Sequence, residues 1–336
     1  MDLRRDGHIH DYEEVYLPIA SLNDHSREIL TRAITNVLST DLAKQTYTQI
    51  VDGLPLSDVA RDTYLPPPYF RHPLFTDHNE LCTDLHTIQL LLWYQHTVPE
   101  RPRALVELVA RCVHQIGAWL YRQDRSRHKE DALGKWRPSE SDARFYPKTF
   151  PETLFCHPWY RDYDQYPGGI ADSVGYWAEA RILGGVIVFD RRDPIMEDND
   201  GVYTIADRKR TIYRICRFLD GQVEDLVDFL LSETTPSPEQ CPLPILPGPN
   251  NGQRFDPESP ILRTGVWRDP WERRLRPRTE KDLRNTTSVT NEFNYEPHWD
   301  MGEAKERCRR ERTERGYAYP GPRVILQLDQ TFRSAA

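Results

Sequence analysis

The stretch HPWYRDYDQY, from His157 to Tyr166, holds the residue types that acid–base catalysis uses. His157 could serve as a general base, because imidazole exchanges a proton near neutral pH. Two nearby carboxylates, Asp162 and Asp164, could orient the ring or act as acids themselves. The side chains that could stack on a flat ligand or donate a hydrogen bond to it are Tyr160, Arg161, Tyr163 and Tyr166. The pattern therefore predicts an acid–base site for a small molecule.

The same loop also admits a purely structural interpretation. Its aromatic rings can pack against the core, Arg161 can pair with an aspartate, and Pro167-Gly168-Gly169 can form a turn. The two interpretations differ in one respect. Catalysis requires His157 and the carboxylates to converge on a pocket that is partly shielded from water, and the sequence leaves that open.

Two charged residues, Glu179 and Arg181, interrupt the apolar run that follows the loop. If this run is a strand, both share a face with Trp177, because side chains alternate along a strand. They then form an ion pair on a solvated sheet face or line a polar pocket, since a buried unpaired charge is costly. Glu179 joins the candidate catalytic residues, and Trp177 and Arg181 join the candidate ligand-binding residues.

Signatures of metal and cofactor binding are weak. His8 and His10 form a His-x-His pair, but no apolar strand precedes it. His78, Cys82 and His86 recur every four residues, and on a helix they would span about 12 Å, too far for one ion. The chain contains no Gly-x-Gly-x-x-Gly, no Gly-x-x-x-x-Gly-Lys and no Gly-x-Ser-x-Gly. We therefore expect no metal and no cofactor.

Charge and composition limit which partners and which cellular compartment we expect for the protein. The 336 residues carry a formal net charge of −8, and a negative field disfavours general nucleic-acid binding. The N-terminal residues lack the apolar core of a secretion signal, and no apolar run reaches the roughly 20 residues that span a bilayer. The 6 cysteines are scattered, as in reduced proteins. We expect a cytoplasmic protein, with the nucleus as an alternative, and no nucleic-acid or membrane partner.

The first half of the chain is predicted to be helical. Hydrophobic residues recur there at helical spacing, and Asn23 is a good N-cap for the first run. A polar, irregular stretch follows from 123 to 155. The predicted helices cover about 24–50, 77–96 and 102–122.

The apolar run over 175–190 is predicted to be a strand, because apolar and other residues alternate along it. The glycine pair at 184–185 would bend this strand or turn it into a hairpin. The alternative is a helix over 170–183, ended by glycine and followed by a short buried strand. Further strands and an amphipathic helix are predicted at 202–205, at 211–216 and from Asp220 onward.

These elements predict an α+β fold, with a helical N-terminal half packed on a small, mainly antiparallel sheet. The 27 prolines indicate long, ordered, proline-rich loops. Three parts are expected along the chain. They are an N-terminal helical segment (1–60), an α+β core (61–275, with helices at about 77–122 and sheet and helix at about 175–232) and a charged, partly disordered C-terminal arm (276–336).

Several local motifs resemble those of a family of filamentous-fungal proteins for which no activity is established. The motifs are YPGGIAD (166–172), GYWAE (175–179), GGVIVFDR (184–191), CPLPILPGPNN (241–251) and RDPWE (268–272). The resemblance covers roughly residues 60 to 275. This chain has Ile187 where the family pattern has valine, a minor departure. The resemblance implies a fungal protein, sometimes encoded near genes of secondary metabolism, and it assigns no residue a role.

Two functional hypotheses follow. In the first, the protein is a cofactor-independent enzyme that uses acid–base chemistry on a small molecule of secondary metabolism, aromatic or polyketide-like. In the second, it is a non-catalytic binding or scaffolding protein whose partner surface contains Trp267, Trp271 and the proline-rich loops. A metal-dependent hydrolase is a distant third.

Overall fold

A computed structural model describes five main stretches of the chain. They are residues 22–63, 105–137, 153–191, 201–255 and 264–272, with gaps at 125, 127, 129, 209–210, 213, 235–236 and 270. It also describes 16–17, 72–73, 78–81, 98–99, Glu306 and Arg310. Residues 1–276 form one compact unit and residues 277–336 a second. The expected disorder of the C-terminal arm falls almost entirely outside the described residues.

Helices dominate the described part of the N-terminal half, as the apolar periodicity predicts. Asn23 caps the first helix, and its side chain accepts the Ser26 N–H at 2.8 Å. The helices among the described residues are α1 (Asp24–Ser39), α2 (Asp41–Asp52), α3 (Ser57–Asp62), α4 (Leu105–Arg122), α5 (Ala132–Lys135), α6 (Ile170–Leu183) and α7 (Asp220–Leu231). None of these helices has both the length and the apolar character needed to cross a bilayer.

The second half supplies a five-stranded antiparallel sheet, which confirms the predicted α+β class. Its strands, in spatial order, are β6 (Arg254–Phe255), β5 (Ile215–Arg217), β4 (Val202–Ile205), β3 (Val186–Asp190) and β7 (Val266–Trp267). Two short strands, β1 (Tyr16–Leu17) and β2 (Val98–Pro99), pair separately. Both faces of β3 are buried, because Ile187 joins the main helical core while Val186 and Val188 join a second, tyrosine-rich core.

The prediction of a strand over 175–190 is wrong for its first half, where the alternative holds. Residues Ile170–Leu183 form α6, Gly184 ends it, and β3 follows. From Ala171 onward every residue of α6 is buried. A helix that is buried on all sides has no polar stripe, so its sequence lacks the one-sided periodicity that identifies surface helices. Alternation of residue types is therefore a misleading signal here.

Two small residues allow α4 and α6 to cross closely. A Cβ atom on Gly175 of α6 would lie 2.7 Å from the backbone oxygen of His114 on α4. A Cβ atom on Gly117 of α4 would lie 2.9 Å from the Cβ of Ala178. Such distances are too short for real carbon contacts, so both positions need glycine. The close crossing brings His114 against the middle of α6.

Replacing Gly184 with alanine is expected to lower the free energy of unfolding by about 1–3 kcal/mol. Gly184 has a φ of 101°, which L-residues rarely adopt, and a Cβ there would lie 2.2 Å from the Ile245 carbonyl oxygen. Urea denaturation measures the change. The matched control is Gly221→Ala at the exposed start of α7, where a Cβ meets nothing within 4 Å. A Gly184→Ala variant as stable as this control would contradict the prediction.

One helix boundary differs from the prediction. Residues 78–81 are not helical, although the predicted helix begins at 77. His78 instead pairs with the start of α3, since its N–H donates to Ser57 Oγ at 3.1 Å and its carbonyl accepts the Ser57 N–H at 2.7 Å. The rest of that predicted helix, including Cys82 and His86, lies outside the described residues, as do His8 and His10.

Candidate functional site

His157, the predicted general base, is fully buried and hydrogen-bonded to backbone on both sides of its ring. Its Nδ1 accepts the Trp159 N–H at 3.2 Å, which leaves the proton on Nε2, and Nε2 donates to the Ile205 carbonyl at 3.0 Å. Burial lowers the pKa of His157 to about 4, although the Asp207 charge and the Ile205 carbonyl oppose this. A neutral imidazole with both nitrogens engaged supports the fold, and it has no free atom for a substrate.

The loop that follows divides into exposed and buried side chains. Arg161, Tyr163 and Asp164 are exposed, and Asp162 is half-buried. Tyr160 and Tyr166 are buried and pack on Tyr176 of α6, with ring centroids 4.2 and 5.4 Å apart. Because backbone groups occupy both nitrogens of His157, neither aspartate orients its ring. The structure therefore does not bring the predicted catalytic residues of this loop together.

Glu179 and Arg181 do not pair with each other, because α6 places them on different sides. Arg181 donates to Asp207 at 2.5 and 3.1 Å and to Asp62 at 3.2 Å. Glu179 accepts the Arg268 guanidinium at 2.8 Å and the Ile187 N–H at 2.7 Å. Trp177 packs on Phe155 in the main core, with ring centroids 4.7 Å apart. The prediction of a shared sheet face is wrong, since a helix turns by about 100° per residue.

A row of charged side chains runs along the α4–α6 crossing. Near one end of it, His114 Nε2 lies 3.6 Å from Asp172 Oδ1, and His114 Nδ1 lies 3.8 Å from Glu179 Oε2. Glu179 leads to Arg268, whose Nε donates to Asp269 at 3.2 Å. The row continues with Arg111, which lies 2.7 Å from Asp269 and 3.3 Å from Glu107. Arg191 ends the row, 2.8 Å from Glu107. We call these eight residues the charged row.

The two carboxylates beside His114 have pKa values that are shifted in opposite directions. Burial raises the pKa of Glu179 above its usual range, against the opposing charges of Arg268 and His114. Burial would also raise the pKa of Asp172, but hydrogen bonding and charge from His114, the Gly168 N–H and Arg122 together lower it. Asp172 is thus held as an anion, whereas Glu179 depends on Arg268 for its charge.

A cleft of about 650 Å³ opens at the end of the charged row that contains Asp172. Its volume is in the range of sites for small organic molecules. Segments from α2, the end of α4, the region around α5 and the start of α6 form its walls. The residues that line it are Ile50, Gly53, Leu54, His72, Tyr121, Arg122, Asp124, Ser126, His128, Leu133, Gly134, Arg137, Thr153, Leu154, Gly168, Ile170 and Ala171.

The wall around α5 carries a histidine that is oriented by a carboxylate. His128 Nδ1 lies 2.5 Å from Asp131 Oδ2, while Asp131 Oδ1 accepts the Gly134 N–H at 2.9 Å and caps α5. The anionic partner places the proton of neutral His128 on Nδ1, so Nε2 carries the lone pair. Nε2 is buried and has no hydrogen-bond partner among the described residues. This pairing is the arrangement by which a carboxylate prepares a histidine base.

Two further histidines pack beside this pair. The His78 ring meets the His128 ring edge-on, with centroids 4.7 Å apart. Burial lowers the pKa of His78, and the neighbouring His128 lowers it further. His72 lines the cleft against Trp136, and burial lowers its pKa to about 4 despite a hydrogen bond to the Leu133 backbone. Both groups are therefore neutral at pH 7.

The charged residues of the Arg-Asp-Pro-Trp-Glu box turn inward. Arg268, Asp269 and Glu272 are all buried. Trp267 and Trp271 are half-buried, and Arg191 lies over the Trp267 ring at 5.6 Å from its centroid. The box thus contributes its charges to the interior. The partner surface proposed from Trp267 and Trp271 stays a prediction.

Within the described residues, no group of three or more His, Cys, Asp or Glu side chains has the geometry to hold a metal ion. His78 and His128 are two imidazoles without a third ligand of that kind. Comparison of the chain with protein-family models, with curated proteins and with solved structures finds no match. The fungal resemblance therefore stays a prediction.

Sequence reasoning missed the residues of the cleft. His128 and Asp131 lie in the stretch 123–155, whose weak apolar pattern predicts irregular structure. A usable signal was present, because Asp131 precedes Ala-Leu as a helix cap and His128 stands three residues before it. The convergence of this stretch with Arg122 and Gly168 depends on tertiary packing, for which one sequence contains no signal.

Proposed function

We propose that the protein is a cofactor-independent enzyme that binds a small molecule in the cleft and uses His128 as its general base. The observation that carries the proposal is the His128–Asp131 contact of 2.5 Å on the wall of a cleft of about 650 Å³. His128 Nε2 would take a proton from the bound molecule. The resulting imidazolium would be stabilised by the Asp131 carboxylate, and the proton would then return to the product.

The electrostatics of the pair support this role. Partial burial would raise the pKa of Asp131, but the Gly134 N–H and His128 lower it, so the carboxylate stays ionised near neutral pH. A permanent anion at Nδ1 fixes the ring and favours its protonated form once a proton has been accepted. The apolar walls from Ile50, Leu54 and Leu133 suit the hydrocarbon part of an aromatic or polyketide-like molecule.

This proposal keeps the acid–base chemistry predicted from the sequence and moves it to other residues. His157 has both nitrogens engaged with backbone, and Glu179 is paired with Arg268 in the interior. Neither residue lines the cleft. Membership of the fungal family, a substrate from secondary metabolism and a cytoplasmic location belong to the same proposal, and the motifs and composition given above support them.

The His128→Gln variant is expected to lose turnover by about 100-fold, the typical contribution of a positioned base. Aromatic and polyketide-like acids would be incubated with the protein in D₂O. Mass spectrometry would then follow each compound for consumption or for deuterium uptake at carbon. Glutamine keeps approximately the size of the side chain and removes its basic nitrogen, so binding in the cleft should survive.

The matched control is His25→Gln, which removes an exposed histidine from α1. It should turn over every substrate at the native rate. Native protein that changes no compound in the library would count against the enzyme, and so would a His128→Gln variant that retains native turnover. Circular dichroism and thermal midpoints of both variants establish that a lost activity does not reflect unfolding.

A further inference from the structure

The part of the cleft next to α6 carries an arginine with unused donors. Arg122, the last residue of α4, has a side chain that is 48% exposed, and its nearest carboxylate oxygen, Asp172 Oδ1, lies 3.6 Å away. That distance is an ion-pair contact and exceeds a hydrogen bond. A guanidinium has five N–H donors. Among the described residues, Arg122 makes no hydrogen bond, so its donors are available to a ligand.

Asp172 only partly offsets this positive charge. Its carboxylate accepts the Gly168 N–H at 2.7 Å and lies 3.6 Å from His114 Nε2 as well as from Arg122. Asp172 thus contacts three groups and makes no hydrogen bond to Arg122, whose side chain lines the cleft.

The first turn of α6 adds backbone donors to the same wall. Ile170 and Ala171 are the first two residues of this 14-residue helix, and both line the cleft. The first N–H groups of a helix have no acceptor within it, and the helix dipole is positive at this end. Gly169 precedes them as N-cap and offers no side-chain acceptor. Helix starts of this kind bind phosphate and carboxylate groups.

Gly168 leaves the space that this arrangement needs. A Cβ atom there would lie 2.1 Å from Arg122 Nη2 and 2.4 Å from Asp172 Oδ1. Any larger residue would displace the guanidinium from its position at the helix start. His128 provides a second observation, because it also lines this cleft and its buried Nε2 has no partner in the described structure.

We propose that the cleft binds an organic anion, a small molecule whose carboxylate or phosphate group is held by Arg122 and the first amides of α6. The proposal rests on the proposed function, because it places the anion in the same cleft as His128, and it specifies the class of substrate. Arg137 lies on the cleft too, but its Nη1 donates to the Trp136 carbonyl at 2.7 Å, whereas Arg122 makes no hydrogen bond among the described residues. We therefore assign the anion to Arg122.

Calorimetric titration with inorganic phosphate and with benzoate, each at constant ionic strength, tests the proposal. Native protein should bind at least one of the two probes, and which one it binds tells a phosphate group from a carboxylate. Arg122→Gln should weaken that binding by about tenfold or more, since hydrogen bonds to charged groups contribute strongly. Gly168→Ala should weaken it as well, through the displaced guanidinium. Arg27→Gln, at an exposed arginine of α1, is the charge-matched control and should bind like the native protein.

The outcomes separate this inference from the enzyme proposal. His128→Gln tests turnover, and Arg122→Gln tests affinity for the probe. If Arg122→Gln reduces binding and no turnover is ever found, the anion site stands and the proposed function fails. If the native protein binds neither probe at millimolar concentration, or if Arg122→Gln binds as tightly as native protein, the anion site is wrong whatever turnover shows.

Discussion

Replacing Arg268 with methionine is expected to lower the free energy of unfolding by about 3–5 kcal/mol, the usual cost of removing one partner from a buried ion pair. Arg268 Nη1 lies 2.8 Å from Glu179 Oε1, and both side chains are almost completely buried. Without the guanidinium, Glu179 is left with the Ile187 N–H and with the His114 imidazole at 3.8 Å. Chemical denaturation at pH 7 measures the loss.

Protonation of Glu179 should make the stability loss of the Arg268→Met variant depend on pH. Burial already raises the pKa of Glu179 in the native protein, and loss of Arg268 would raise it further. The folded variant then binds a proton more readily than the unfolded chain does, so its deficit relative to native protein should shrink as the pH falls toward 5. Arg268→Met/Glu179→Met should lose less than the sum of the two single variants.

The control is Arg27→Met, which breaks an exposed ion pair with Asp24 on α1. Exposed pairs contribute about 1 kcal/mol or less, so this variant should be close to native stability. If Arg268→Met lowers the free energy of unfolding as little as the control does, the charged row is hydrated and the assignment of a buried ion pair is wrong.

The second large effect is a loss of stability in acid that depends on His157. Its pKa is about 4 in the folded protein, below the ordinary value of 6.5. Between these values the unfolded chain takes up a proton at His157 and the folded protein does not, so stability decreases as the pH falls. The contribution lost by pH 4 is about 3 kcal/mol, because each pH unit between the two pKa values corresponds to about 1.4 kcal/mol.

His157→Gln isolates this contribution. Glutamine can still donate to the Ile205 carbonyl but does not titrate. The variant should be less stable than native protein at pH 7, and the gap should narrow by about 3 kcal/mol between pH 7 and pH 4. Other groups, His72 among them, titrate alike in both proteins and cancel in the difference. The exposed His25→Gln change is the control for the substitution itself, and a constant gap for His157→Gln would disprove the burial argument.

The fold class was accessible from sequence because its signals are local. The helices α1, α2 and α4 each bury one stripe, and that stripe has the helical period. The prediction failed at α6, because this helix lies between two cores and carries buried residues on all sides. Its periodicity is therefore absent, and its glycine-containing, alternating sequence imitates a bent strand.

The site was harder to predict from the sequence, because the sequence shows residue types and not their burial. His157 stands among acids and tyrosines, yet its ring is hydrogen-bonded to the Trp159 N–H and the Ile205 carbonyl and to neither acid. His128 and Arg122 stand in unremarkable surroundings and meet across a cleft through packing of α4, α5 and α6. A cluster along the chain is thus weak support for a cluster in space.

The tight α4–α6 crossing also bears on how the specificity of the cleft can be altered by design. Gly117 and Gly175 leave no room for larger side chains at the crossing, and Gly168 leaves none beside Arg122 on the cleft wall. Libraries that aim at new substrates should therefore vary the exposed positions Asp124 and Arg137, and leave α6, His128 and Asp131 unchanged. The α6 wall would then continue to bind the anionic group, while the varied positions would select the rest of the molecule.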